Sequence, residues 1–201
     1  MLRFVLLNLV ALALLIAAWG GGLVSRVIEA DSTHLVLVIA GVFVIGLALA
    51  CWHVFETSRE INRARSASPV PGSIAASYLA MTAGKDAQSR QILGSSLRLK
   101  LSQRITLVRH IGNSLVFLGL IGTVIGFIIA LSGVDPETVG ESEKISAMVT
   151  TLIQGMSTAL MTTLVGAVFN IWLMANYQLL ASGTVRLIAA VVELGESRAS
   201  A

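Results

Sequence analysis

The sequence predicts an all-α membrane protein with four transmembrane helices, and three observations carry that expectation. Apolar residues make up 55% of the 201-residue chain and charged residues only 12%, whereas a soluble domain is about a quarter charged. Four apolar runs each reach the roughly 20 residues that cross a bilayer as helix. Basic residues gather between the second and third runs instead of spreading along the chain.

The first run extends from Phe4 to Val24 and the second from Leu35 to Phe55. Arg3 ahead of an apolar run that holds Ala17 and Ala18 also fits a secretory signal peptide, but the segment is read as an uncleaved helix. Pro69, Pro71 and Gly72 mark a turn-rich break over 66–73, after which the second helix cannot continue. Ile74 to Met81 and Gln88 to His110 then read as helix. Gly112 leads into the third run, Ile111 to Val134, which has no charged residue. The fourth starts near Ile145 and stays uncharged until Arg186. At 1.5 Å per residue that stretch overshoots a hydrocarbon core of about 30 Å, so one end should project into water.

Charge placement sets the expected orientation. Between runs two and three lie Arg59, Arg63, Arg65, Lys85, Arg90, Arg98, Lys100, Arg104 and Arg109, against Glu56, Glu60 and Asp86. The loop after run three holds Asp135, Glu137, Glu141 and Glu143 with Lys144 as its one base. The positive-inside rule therefore puts the basic segment and both termini in the cytoplasm. The expected organisation is a pair of N-terminal spans over 1–55, a cytoplasmic helical segment over 56–110, a second helix pair over 111–182 with an outside loop at 134–147, and a cytoplasmic tail over 183–201. Spans three and four are expected to extend into the small helical cytoplasmic region.

The net charge of +3 and the clustering of bases beside spans suit anionic lipid rather than nucleic acid. Cys51 stands alone, without metal-ligand spacing around it, so no cofactor is expected. Trp19, Trp52 and Trp172 read as interfacial or packing aromatics. His53 and His110 read as helix-end residues.

Two small-residue faces carry the functional signal. At about 100° per residue, Gly119, Gly122, Thr123, Gly126, Ala130 and Gly133 share one side of the third span. Gly155, Ala159, Thr162, Thr163, Gly166 and Asn170 form the corresponding stripe of the fourth. Such faces allow close helix packing, and a threonine there can simply bond its own i−4 carbonyl. The same faces could also line a polar path. Asn170 should find a partner, either a neighbouring helix or water in a pore. No Asp, Glu, Lys, Arg or His lies between His110 and Asp135 or between Lys144 and Arg186. Threonine does not ionise at physiological pH, so a proton path through these helices needs an acid from another chain.

The run LGLIGTVIGFIIAL from Leu118 to Leu131 resembles a helix of the MotA/TolQ/ExbB proton-channel family. GMSTALMTTLVGAVFNIWLMANY, from Gly155 to Tyr177, is similar to that family's last helix. The resemblance covers roughly residues 95–180, and the first two helices suit the four-span MotA layout. It implies a homopentameric ring around two copies of a single-span subunit like MotB, TolR or ExbD. That partner's transmembrane aspartate would bind and release H+ or Na+ and turn the ion gradient into motion. It further implies that Thr123 and Thr163 face the aspartate; Thr162 and Asn170 are expected on the ion path from their place on the small-residue stripe of the fourth span. Gly119, Gly122, Gly126, Gly155, Ala159 and Gly166 would serve close packing. Ile171, Trp172 and Leu173 occupy a region where the family often has proline, and Thr158 stands near a glutamate of many TolQ and ExbB relatives. The short basic segment lacks the bulk that MotA uses against a flagellar rotor. The expected function is ion translocation, not enzymatic catalysis. The competing readings are a non-conducting scaffold that anchors a partner and, against the missing intramembrane charges, a self-sufficient transporter.

Overall fold

The computed structural model describes residues 2–64, 71–133 and 142–199. Among them it has six helices and no strand: α1 (Leu2–Gly20), α2 (Leu23–Ala30), α3 (Leu35–Ala64), α4 (Ile74–Thr82), α5 (Ala87–Ser132) and α6 (Ser142–Ala199). Four of them, α1, α3, α5 and α6, are long and apolar enough to cross a membrane. Residues 65–70 and 134–141, with most of the expected 66–73 break and of the expected acidic loop, lie outside the described residues.

The first span ends four residues earlier than the apolar run suggests. Gly20, Gly21 and Gly22 are consecutive, and Gly22 adopts φ 72°, a left-handed conformation that ends helices and that glycine takes at no steric cost. The freed amides of Gly21 and Gly22 donate to the carbonyls of Ala17 and Trp19, each at 2.9 Å. Val24 therefore belongs to α2, a separate short helix that also carries Arg26 and Glu29.

Asp31 starts the next span. Its carboxylate accepts from the Val36 amide at 2.7 Å, the Thr33 hydroxyl at 2.7 Å and the Thr33 amide at 3.1 Å. One of the three donors, the Val36 amide, is a first-turn amide that α3 cannot bond internally. The three together also explain how an acid that is 5% exposed is accommodated.

Both long helices continue beyond their uncharged runs. α5 passes through Gly112 without a break and is 46 residues long. α6 continues past Leu180 to a length of 58 residues. Leucine, alanine, lysine, arginine and glutamate fill much of both segments, and these are good helix formers.

The chain forms two compact units. One comprises Met1–Val5, Leu47–Arg109 and Ala175–Ala201; the other comprises Leu6–Gly46 and His110–Met174. The core of the first unit joins Ala64, Ala75, Tyr78, Leu101, Leu187 and Val191. Tyr78 fills a slot kept open by glycine, since a methyl group on Gly195 would come within 2.8 Å of its ring and one on Gly94 within 3.4 Å of its hydroxyl. Burial pushes the Tyr78 phenol above its usual range, helped by the nearby Glu196 carboxylate and opposed by Arg90. Arg90 and Glu196 pair at 3.1 Å, a largely exposed bridge that adds little stability. A side-chain hydrogen bond from Ser89 lowers the pKa of Asp86 at the start of α5.

Glu60 fixes the entry to α4. It is 7% exposed, accepts from the Ile74 amide at 2.9 Å and from Arg63 at 2.7 Å. Ser73 completes the cap by accepting from the Ala76 amide at 3.1 Å. Glu60→Ala leaves a buried amide without its acceptor and is expected to cost about 2 kcal/mol. Thermal unfolding in detergent should show the loss, with Glu60→Gln recovering part of it because an amide oxygen still accepts from Ile74.

Candidate functional site: a threonine pair beside a glycine seam

Within the second unit, α5 and α6 meet along an antiparallel seam of small residues. A methyl group on Gly166 would lie 2.6 Å from the Leu115 carbonyl and 3.2 Å from the Gly119 Cα. One on Gly122 would fall on the Thr162 side chain. One on Gly126 would lie 2.5 Å from the Gly155 carbonyl and 2.6 Å from the Ala159 nitrogen. Gly133 faces Thr151 in the same manner, at 2.7 Å from its Cβ. Contacts thus advance three or four residues on one helix as they retreat three or four on the other. From Gly112 to Gly133 the seam runs for about 30 Å at 1.5 Å per residue, the thickness of a hydrocarbon core. Backbones come this close only where no Cβ intervenes, which is why glycine occupies these positions.

The predicted polar residues separate into distinct roles. Thr162 is fully buried, and its hydroxyl donates back to the Thr158 and Ala159 carbonyls at 2.9 and 3.1 Å. Asn170 donates through Nδ2 to the Gly112 carbonyl at 2.7 Å, so its partner is the neighbouring helix. Thr123 and Thr163 stand together at the edge of the seam, their hydroxyls hydrogen-bonded to each other. Both hydroxyls also reach one acceptor, the Gly119 carbonyl, at 3.2 Å from Thr123 and 3.1 Å from Thr163. Thr163 is exposed and Thr123 half-buried.

Around that pair the surface is bulky and apolar. Val116, Leu120 and Phe127 continue the Thr123 side of α5, while Met156 and Leu160 continue the Thr163 side of α6, and all five are exposed. Two hydroxyls have two protons to give, and between them and Gly119 they have several lone pairs. A bare carboxylate arriving at this edge would accept a hydrogen bond from a rotated hydroxyl. A neutral carboxyl group would instead find hydroxyl lone pairs to donate to, while the threonine protons return to Gly119. The pair can therefore solvate an acid in either protonation state without carrying charge itself.

Sequence reasoning missed two polar contacts and one aromatic stack in this unit. Thr158 is fully buried and its hydroxyl donates to the Ala30 carbonyl at 2.7 Å, tying α6 to the end of α2. Trp172 donates through Nε1 to the Asn8 side-chain oxygen at 2.9 Å. Phe43 stacks on Phe169 with ring centroids 4.3 Å apart, beside the same tryptophan. Asn8, as an amide in the middle of an apolar run, was the one available signal.

Residues 69–193 match the model of the MotA/TolQ/ExbB proton channel family. The chain belongs to that family. No curated protein and no solved structure gave a significant match. The family match extends beyond the motif-bearing region on both sides and takes in α4, α5 and most of α6. It includes the whole seam and the threonine pair. Members of the MotA/TolQ/ExbB family are membrane-embedded, and they work with partner subunits in ion-driven motors.

Proposed function

We propose that this chain is the ring-forming subunit of a proton channel of the MotA/TolQ/ExbB type, driven by the proton gradient and coupled to a partner's motion. The observation that carries the reading is the Thr123–Thr163 pair. It is a polar spot on an apolar, exposed face, in two helices without a titratable side chain across their spans. Five copies would turn these faces inward around two single-span partner helices, each bringing an aspartate that takes up H+ or Na+. Thr123 and Thr163 solvate that aspartate as it charges and discharges. Thr162 and Asn170 serve the α5–α6 contact, together with Gly119, Gly122, Gly126, Gly155, Ala159 and Gly166.

The proposed setting is a bacterial inner membrane with the basic segment and both termini in the cytoplasm, as the charge distribution favours. α5 and α6 then extend into the cytoplasm as a small helical region, where the first unit's packed core joins them. Each proton moving down the potential supplies about 2.3 kcal/mol per 100 mV, so a few per step suffice for mechanical work.

Proton uptake into proteoliposomes tests this. The chain reconstituted with the product of an adjacent gene encoding one span and a membrane aspartate should acidify the lumen, and neither protein alone should do so. Uptake by this chain alone would remove the need for a partner acid. A stable complex with no uptake, whose cellular role survives a proton uncoupler, would favour a non-conducting scaffold instead.

A further inference from the structure

A pocket of about 400 Å³ opens in the first unit where the start of α1 meets α3 and α6. Its volume lies in the range of small-molecule sites, roughly 300–1,000 Å³. Its rim is basic. Arg3 and Arg186 both line it, both are exposed, and no carboxylate lines it. Neither guanidinium has an ion-pair partner among the described residues.

Thr57 and Ser58 form part of the wall on α3. Hydroxyls elsewhere in these helices mostly donate to their own backbone, as Thr106, Ser114 and Thr184 do to the i−4 carbonyl. Thr57 and Ser58 make no hydrogen bond through their side chains among the described residues, so two donors remain unspent beside two uncompensated cations. Apolar side chains finish the pocket: Phe4, Val54, Ile61 and Leu179. Phe4 begins one membrane-crossing helix, and the others flank the polar stripes of α3 and α6 at i+3, i+4 and i+7 spacing.

We infer that this pocket binds the headgroup of an anionic phospholipid. Arg3 and Arg186 hold the phosphate, Thr57 and Ser58 donate to its free oxygens, and the first methylenes of the acyl chains cover the apolar wall. Arginine suits a phosphate because its planar fork donates twice. A soluble phosphate would satisfy the cations but leave the apolar wall bare, whereas a lipid satisfies both. The inference shares with the proposed channel only the premise that α1 and α3 cross a membrane, so either can fail without the other.

Native mass spectrometry of the purified chain, titrated with short-chain phosphatidylglycerol or phosphatidylcholine, tests it. Phosphatidylglycerol should bind at least tenfold tighter, and Arg3→Gln with Arg186→Gln should remove that preference. Arg59→Gln with Arg98→Gln removes the same charge from exposed positions of the same unit outside the pocket, and the preference should survive. Thr57→Val with Ser58→Ala should weaken phosphatidylglycerol severalfold without altering any charge, which keeps a readout if the arginine variant does not fold. Equal binding of the two lipids would overturn the inference. So would equal losses from the two arginine pairs, or no loss from the hydroxyl pair. Competition by inorganic phosphate at concentrations matching the lipid would reassign the pocket to a soluble anion.

Discussion

Thr163→Val is expected to reduce proton flux through the reconstituted complex by ten- to a hundredfold while leaving the protein folded and assembled. Valine keeps the shape of threonine and removes the hydroxyl, so the α5–α6 contact should persist. What disappears is one of the two donors available to a carboxylate in a place with few alternatives. A hydrogen bond to a charged group is worth about 1.5–3 kcal/mol, and each 1.4 kcal/mol is about tenfold. Thr123→Val should behave similarly, and Thr163→Ser should keep most of the flux because the proton and its reach to Gly119 remain. Thr162→Val is the informative control. Its hydroxyl is buried and donates only to its own helix, so flux should stay near the wild-type level. Wild-type flux in Thr163→Val, or an equal defect in Thr162→Val, would sink the assignment of the ion path to the exposed pair.

Gly155→Leu should abolish recovery of folded protein, and even Gly155→Ala should destabilise it severely. An added methyl would lie 2.5 Å from the Gly126 carbonyl oxygen and 2.8 Å from the Ala130 Cα. Those atoms belong to the backbone of α5 and cannot rotate aside as a side chain would. Relief would require the helices to separate along the seam, costing on the order of 3 kcal/mol for alanine and more for leucine. Gly41→Ala makes the contrast, because nothing lies within 4 Å of the added methyl there. That change should be neutral or stabilising by up to about 1 kcal/mol, the ordinary helix preference for alanine. Size-exclusion profiles and thermal unfolding in detergent read both outcomes. A well-folded Gly155→Leu protein would show that α5 and α6 do not meet as described.

Much of the architecture was legible before any coordinates. A helix that crosses hydrocarbon needs about 20 predominantly apolar residues, so composition along the chain separated four spans from the remainder. The small-residue periodicity of 119–133 and 155–170 pointed to the faces that meet. The missing ionisable groups are the reason the proposed proton path needs an acid from a partner. One helix end was read less well, for a local reason: the glycine triplet at 20–22 stopped α1 inside its apolar run.

By itself, then, the sequence determined the solvent this chain lives in, its family, and which quarter-turn of each helix is slim and polar. Those properties depend on residue type and spacing, which are one-dimensional. Only the tertiary structure decided which of Thr162 and Thr163 is buried. The two are neighbours about 100° apart on the helix, and an axial rotation of α6 by about that angle would exchange them. The hole left by Gly122 sets that rotation by accepting the Thr162 side chain, which leaves Thr163 at the open edge beside Thr123. Three-dimensional packing likewise gave Asn170 a carbonyl on α5 and brought Arg3 and Arg186 to one pocket, although 183 positions separate them in the chain.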